Sequence, residues 1–407
     1  MADEGEKSVR IWFDKVLPKI VAGLDRHSKE VRYDLSVPGD SFYVSNIFYV
    51  NIRWRAGQEA AEKVEKGMKI VVKRPSHNEG TRDLIKSDIQ FHNEILFYRK
   101  YAQGSEKYPR RIYLEERPPC ESVIALEDVS ERGYVLCPWK YDIPLEYSVA
   151  AMREIGRFHG RGYVMKTRQP EKFFDIVAAI QESRFEPPTP DNAFKVHVDA
   201  LSTRAIDYLR AKKYDEKFCD KIELFLSNAY ENVMIHAVEI VEPLATLCHG
   251  DFTTNNTLFK RENGHLKAML IDFALFRYGS PVIDLSTFFC LSCHRQLKMP
   301  EFQVLLRVYH QALTDYLAEN GIVDDARYSY EAFLNEHKEH GLFGFVIASF
   351  YVAVLMGCDT PQLEDIVQLS PADAAAICRK SGGEKVSETL ATMLLDLKEL
   401  GCLDGIL

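Results

Sequence analysis

From Leu247 to Ser286 the chain reads LCHGDFTTNNTLFKRENGHLKAMLIDFALFRYGSPVIDLS, and three polar residues in it have the types and spacing for one kind of chemistry. Asp251 follows His249-Gly250, Asn256 stands five residues later, and Asp272-Phe273 ends an apolar run. Phosphoryl transfer asks for a carboxylate to orient an acceptor hydroxyl, and for hard oxygen ligands to hold magnesium against the phosphates. Asp251 suits the first task, Asn256 and Asp272 the second. A hairpin that would join the two halves is readable between them. Thr257-Leu258-Phe259 and Leu266 to Ile271 are strand-like, and Asn263-Gly264 supplies the turn. Such a hairpin returns Asp272 to the side of Asp251 and Asn256.

Upstream, Lys73 ends the apolar run Ile70-Val71-Val72 and is followed by Arg74-Pro75. A strand-end lysine reaches the phosphates of a nucleotide when a carboxylate holds it. Glu94 is the candidate partner, on a stretch whose Ile89, Ile95, Leu96 and Tyr98 read as an amphipathic helix, with Glu79, Asp83 and Asp88 as rivals. Taken alone, without the downstream motif, Lys73 and Glu94 read more readily as solvated charges. A glycine-rich phosphate loop would spell G-x-G-x-x-G, but the chain offers only Gly39, in PGDSFYVSN. The hydroxyls or amides of Ser41 and Ser45 are the substitutes available. Ser122 to Leu126 reads as a short buried strand running into Glu127-Asp128. It is the expected hinge, its backbone placed to meet adenine, although a plain inter-domain strand accounts for the same residues.

At 407 residues the chain is long enough for two or three packed units, and 46% hydrophobic content promises a large core. A formal net charge of −9 argues against a generic nucleic-acid or anionic-membrane binder. The nine cysteines are scattered, as suits a reducing cytosol, and the acidic N-terminus lacks an apolar signal core; the expected location is cytoplasmic. Gly341 to Cys358 is uncharged for 18 residues, the lower bound for a membrane span. Its glycine, serine and tyrosine interruptions and its lack of basic anchors favour a buried helix. Cys290-Leu-Ser-Cys293-His294 spells a haem or half-zinc string, but no second Cys/His pair stands at zinc spacing, so structural cysteines are expected.

Residues 8 to 25 place Ile11, Trp12, Val16, Ile20, Val21 and Leu24 on one helical face. Phe48, Val50, Ile52 and Trp54 alternate as in a half-buried strand, and Gln58 to Lys69 reads as an exposed connection. Leu145 to Gly160 reads as a helix carrying His159, which is expected to be a buried, hydrogen-bonded core histidine rather than a base. Glu171 to Val241 is helical in pattern, broken by Pro187-Pro188-Thr189-Pro190, and is sited to wall an acceptor pocket or to serve as scaffold.

HGDFTTNN, IDF and YGSPVIDLSTFF, with IVVKRP and the Glu94 helix upstream, resemble the ecdysteroid kinase-like family, which stands with the choline kinases and aminoglycoside phosphotransferases. The likeness runs over nearly the whole chain. It implies a bilobal, protein-kinase-like α+β fold, a small β-rich N-lobe (1–128) and a larger, mainly helical C-lobe (129–407), with ATP between them. It implies phosphorylation of a hydroxyl on a small molecule, ecdysteroids being the named substrates. Carried over by residue, Asp251 matches the catalytic aspartate, Asn256 and Asp272 the magnesium ligands, and Lys73 and Glu94 the N-lobe ion pair. Asp284 matches a second aspartate expected to brace the catalytic loop. Gly250 stands where a protein kinase has arginine in H-R-D-x-x-x-x-N. Ala274 follows Asp-Phe where the family often has glutamine, the nucleotide loop is thin, and there is no A-P-E segment. The expectation is an ATP- and magnesium-dependent phosphotransferase for a small-molecule hydroxyl, an ecdysteroid or other steroid alcohol. The alternatives are a choline or amino-alcohol kinase and a nucleotide-binding pseudokinase.

Overall fold

Alternation through Phe48, Val50, Ile52 and Trp54 gives a strand with one face buried, and the rest of the first unit is laid against that face. The computed structural model describes residues 2–24, 29–37, 45–56, 64–186, 189, 192–323 and 326–407. Contacts divide the chain into Met1–Gly133 and Tyr134–Leu407, a boundary a few residues beyond the one drawn after Asp128.

In the first unit, α1 (Ala2–Leu24) precedes β1 (Lys29–Ser36), β2 (Asn46–Ala56) and β3 (Val64–Arg74). Then come α2 (Glu79–Ile85), α3 (Ser87–Leu96), β4 (Arg111–Glu115) and β5 (Val123–Glu127). The five strands form one sheet in the order β1-β2-β3-β5-β4, with every pairing antiparallel. Phe13, Val16, Leu17, Ile20 and Val21 of α1 join Phe48, Val50, Ile52, Ile70 and Val72 of the sheet in one core. The expected helical face is shifted: Ile11 is exposed, and Phe13 and Leu17, which the pattern left out, are buried. Gln58 to Lys69 is not all connection either, because β3 begins at Val64 and pairs with β2 to its end. Backbone pairing holds a strand whatever its solvent face carries, so exposed Lys66 and Lys69 misled the polarity argument.

The second unit opens with β6 (Val135–Leu136) and the long α4 (Leu145–Arg168). Next come α5 (Pro170–Ala179), α6 (Ala193–Ser202), α7 (Arg204–Ala211), α8 (Glu216–Leu226) and α9 (His236–Val238). β7 (Thr246–Cys248) leads into the motif, β8 (Thr257–Glu262) and β9 (His265–Leu270) form the hairpin, and β10 (Arg277–Gly279) returns to pair with β7. The remainder is helical: α10 (Val282–Ser292), α11 (Glu301–Glu319), α12 (Tyr330–His340), α13 (Leu342–Leu355), α14 (Leu363–Ile366), α15 (Pro371–Cys378) and α16 (Gly383–Glu399). Every residue of α10 is buried. It crosses α13 so closely that a Cβ on Gly344 would lie 2.0 Å from the Ser286 carbonyl oxygen, so only glycine fits there.

The apolar 341–358 stretch is α13, buried along most of its length. No single described helix is long and apolar enough to cross a membrane, and α12 with α13, which meet the length and composition together, are bent by 52°. Cys290 and Cys293 are free, buried thiols held above the usual thiol range by burial. Both pack within the core of the second unit.

His337 on α12 is 1% exposed, packed by Phe289 and Phe302, and neither ring nitrogen has a partner among the described residues. Burial pushes its pKa down to about 4. The unfolded chain takes up this proton near pH ~6.5, so the site costs nothing above that pH and destabilises the fold progressively as pH falls toward 4. The full linkage is on the order of 3 kcal/mol. Urea denaturation near pH ~7.5 and ~5 should show a smaller loss on acidification for His337→Leu than for the parent. Equal losses would remove His337 from the account.

Candidate active site

The motif loop is fixed from behind by one carboxylate. Asp284, in the first turn of α10, is fully buried; its Oδ2 accepts from the His249 backbone N–H at 2.7 Å and its Oδ1 from the Gly250 N–H at 2.8 Å. His159 of α4 lies with Nε2 3.0 Å from Asp284 Oδ2 and Nδ1 2.9 Å from the Tyr309 hydroxyl. The histidine is the buried, hydrogen-bonded residue expected, with an acidic partner 125 residues away. Cys248 completes a buried triad whose donor atoms lie within 4.8 Å of one another, a spacing a metal could use. The carboxylate oxygens are already taken by N–H groups. The Cys248 thiol is held well above its usual range by burial and donates to the carbonyls of Gly279 and Ser280. The triad is a hydrogen-bonded brace.

Gly250 has φ +83°, and a Cβ there would lie 1.8 Å from the Leu275 carbonyl oxygen. The backbone of the loop passes against the segment after Asp272 with no room for a side chain. That accounts for glycine where protein kinases carry arginine. His249 struts the same approach. Its Nε2 donates to the Ile271 carbonyl at 2.9 Å, which leaves Nδ1 to accept from the Asp251 N–H at 3.2 Å. Its ring packs on Phe273 at 4.6 Å. One neutral imidazole thus spans both halves of the motif.

The hairpin forms as the sequence indicates, with Thr257 opposite Leu270 and both turn residues, Asn263 and Gly264, at positive φ. At its base the Ile271 N–H donates to the Asn256 carbonyl at 3.0 Å, which sets Asp272 beside the loop. Asp272 itself has φ +65°, a left-handed conformation that aspartate tolerates better than most residues. Asn256 gives its amide Nδ2 to the Asp251 backbone carbonyl at 3.0 Å and to Asp251 Oδ2 at 2.9 Å. Its Oδ1 is therefore the end turned to other partners. An amide oxygen and the Asp272 carboxylate are hard oxygen donors of the kind magnesium takes, so the residues present fit that ion.

Asp251 is half-buried. Burial pushes its carboxyl above the ordinary range; the Arg184 guanidinium pulls it down, Asp272 pushes it up, and the Asn256 bond pulls it down. Arg184, a candidate for the site on that ground, carries no mark in the sequence, since it stands in the non-helical segment between α5 and α6 with no periodicity.

In the first unit, Lys73 Nζ donates to both carboxylate oxygens of Glu94 at 2.9 and 3.0 Å, and both residues are buried. None of the rivals Glu79, Asp83 and Asp88 is buried. Removing one partner of such a pair costs about 3–5 kcal/mol, because the other charge is left buried alone. Ser45 lies half-buried in a bend directly before β2. Gly39 and Ser41 lie outside the described residues. The Glu127 side chain is spent locally: Oε2 accepts from the Arg110 N–H at 3.1 Å and lies 3.6 Å from Arg132. Its own N–H donates to the Arg110 carbonyl.

A comparison with curated proteins finds none that matches this chain. Among solved structures, a microcompartment-associated aminopropanol kinase is similar at 13% identity and TM-score 0.42, with 91% of this chain and 94% of that one covered. A type VIII aminoglycoside-3'-phosphotransferase is similar at 14% identity and TM-score 0.32, covering 78% of this chain and 98% of that one. An AMP-bound spectinomycin phosphotransferase is similar at 13% identity and TM-score 0.32, covering 83% and 90%. Likeness at these levels says nothing of substrate or mechanism. The family profile is another matter: the ecdysteroid kinase-like family matches residues 38–322, well over half of the chain. With its antiparallel sheet unit, its helical unit and this motif, the chain belongs to the ecdysteroid kinase-like family and has that family's protein-kinase-like α+β fold.

Proposed function

We propose that the protein is an ATP-dependent phosphotransferase that acts on a hydroxyl group of a small molecule, an ecdysteroid or other steroid alcohol. The observation that carries this reading is the locked cluster of Asp251, Asn256 and Asp272. Asp251 and Asn256 share a hydrogen bond at 2.9 Å, and Asp272 follows the residue bonded to the Asn256 backbone. The steroid acceptor rests on family membership alone.

In this reading Asp251 orients the acceptor hydroxyl and takes its proton, which its raised carboxyl pKa suits. Asn256 Oδ1 and the Asp272 carboxylate hold magnesium, which when bound neutralises charge on the phosphate oxygens. Lys73, paired with Glu94, neutralises further phosphate charge, and the Glu127 carbonyl, Ser45 and Gly39 are assigned to the rest of the nucleotide. The Asn256 bond to Asp251 keeps the proton-accepting carboxylate and the metal-holding amide oxygen in fixed relation. Positioning and fixed charge do most of the work of phosphoryl transfer, and this arrangement supplies both.

Purified protein, labelled ATP, magnesium and a panel of steroid alcohols and amino-alcohols test the reading directly: phosphate should move to a hydroxyl compound. Binding of ATP in a thermal-shift titration with no ATP consumed would make the protein a pseudokinase instead. Asp272→Asn, which keeps a residue tolerant of positive φ, should lower transfer about a hundredfold or more; a parent-like rate would remove Asp272 from the metal site. Asp284→Asn puts an amide NH2 against one of the two backbone N–H groups, whichever way the amide turns. It should cost about 2–4 kcal/mol of stability by chemical denaturation, and unchanged stability would show that the brace is dispensable.

A further inference from the structure

Beside Asp251 the second unit carries a built cationic ledge. The segment between α5 and α6 is wound around Glu182, whose Oε1 accepts from the backbone N–H groups of Ser183, Arg184 and Phe185 at 2.9, 2.8 and 3.0 Å. Its Oε2 accepts from Arg277 at 3.1 Å. Arg277 lies on β10 opposite Cys248, the residue before His249, so this ion pair fastens the segment to the strand pair that feeds the motif loop. The Arg277 guanidinium also covers the Phe185 ring at 4.8 Å. On the far side, the Tyr230 hydroxyl donates to the Glu186 carbonyl at 2.6 Å and lies 3.3 Å from that of Arg184. The Arg184 backbone is thus held at both its N–H and its carbonyl. The residue is half-buried, its guanidinium has no hydrogen bond or ion pair with a side chain among the described residues, and its charge favours the ionised form of Asp251. Next to it, Phe185, Phe194 and Phe350 are half-buried and in ring contact in series, at 6.4 and 5.9 Å.

We propose that Arg184 selects the acceptor: the site takes a hydroxyl compound with an apolar body and an uncharged or anionic oxygen group beside the reacting hydroxyl, and rejects an ammonium there. This rests on the phosphotransferase reading and names its substrate class. An ammonium acceptor needs a carboxylate to meet it, and the carboxylate of this ledge, Glu182, is consumed by three N–H groups and Arg277. It would instead meet a guanidinium that no described side chain pairs, and like charges at close range discriminate strongly against a wrong partner. An alcohol, carbonyl or carboxylate oxygen beside the hydroxyl accepts from that guanidinium in the geometry arginine offers. The ring series gives an apolar body a surface to lie on.

Three probe acceptors that share one benzylic hydroxyl separate the cases: phenylethanolamine, phenylethylene glycol and mandelate, each with full-length protein, ATP and magnesium. The parent should show kcat/KM for the glycol or mandelate at least about tenfold above that for the ammonium compound. Arg184→Glu should move that ratio about tenfold or more toward the ammonium compound, and Arg184→Lys should retain the parent preference. The ratio within one variant does not depend on how much of it is folded, so a purely structural role for Arg184 leaves it unmoved. ATP turnover with no discrimination against the ammonium, or a ratio unchanged in Arg184→Glu, overturns the inference and spares the phosphotransferase reading. A protein that turns over no ATP with any acceptor overturns both.

Discussion

A carboxylate with no solvent exposure is tolerable only when N–H donors replace its water, and Asp284 has three. Two come from consecutive backbone positions, His249 and Gly250, so the carboxylate fixes the path of the chain rather than one side chain. The third comes from His159, itself bonded to Tyr309 of α11. Asp284 rides on a helix buried on every side and seated against α13 at Gly344. The position of Asp251 is therefore set by helices that contribute nothing to its chemistry. That is the use of the large C-terminal core: it turns a flexible loop into a fixed one.

From that anchor the remaining contacts partition roles. His249 can serve both the Ile271 carbonyl and the Asp251 N–H only as one neutral tautomer, and in doing so it sets the spacing between loop and hairpin. Asn256 spends both amide bonds on Asp251, which leaves an oxygen and no donor for anything else. A glutamine there would reach past these acceptors, and an aspartate would face Asp251 with like charge. Asparagine at this place satisfies the carboxylate and still leaves its amide oxygen uncommitted to Asp251.

What could be read from the sequence was what local rules encode. The Asp-Asn spacing, the Asn-Gly turn and the strand-end lysine act over a few residues, and each stands where the pattern put it. Lys73 with Glu94 was one choice among four acids, settled by burial that a one-dimensional pattern only hints at. What could not be read depends on contacts between distant segments: His159 with Asp284, Glu182 with Arg277, and Arg204 capping the carbonyls of Ser381 and Gly383. Periodicity says that a face is apolar but not what meets it, so Phe13 replaced Ile11 in the core and β3 began several residues early. Arg184 left no trace in the pattern because its role comes from a turn wound around one glutamate.

The way this chain treats charge makes Arg184 conspicuous. Buried Lys73 and Glu94 neutralise each other, buried Asp284 is saturated by N–H groups, and buried Arg204 is satisfied by carbonyls and the Ser387 hydroxyl. Half-buried Arg277 has Glu182. These groups have their charges compensated, as desolvation requires, whereas buried Arg74 meets the His77 ring and the Trp12 face and keeps an unpaired Nε among the described residues. Arg184 is held by its backbone at two points while its guanidinium is paired with no described side chain, and water can still reach it. Ordering a long side chain's backbone so tightly gains nothing for stability if the head group contacts only solvent. The arrangement is economical when a ligand supplies the missing acceptor, as the proposal for Arg184 requires.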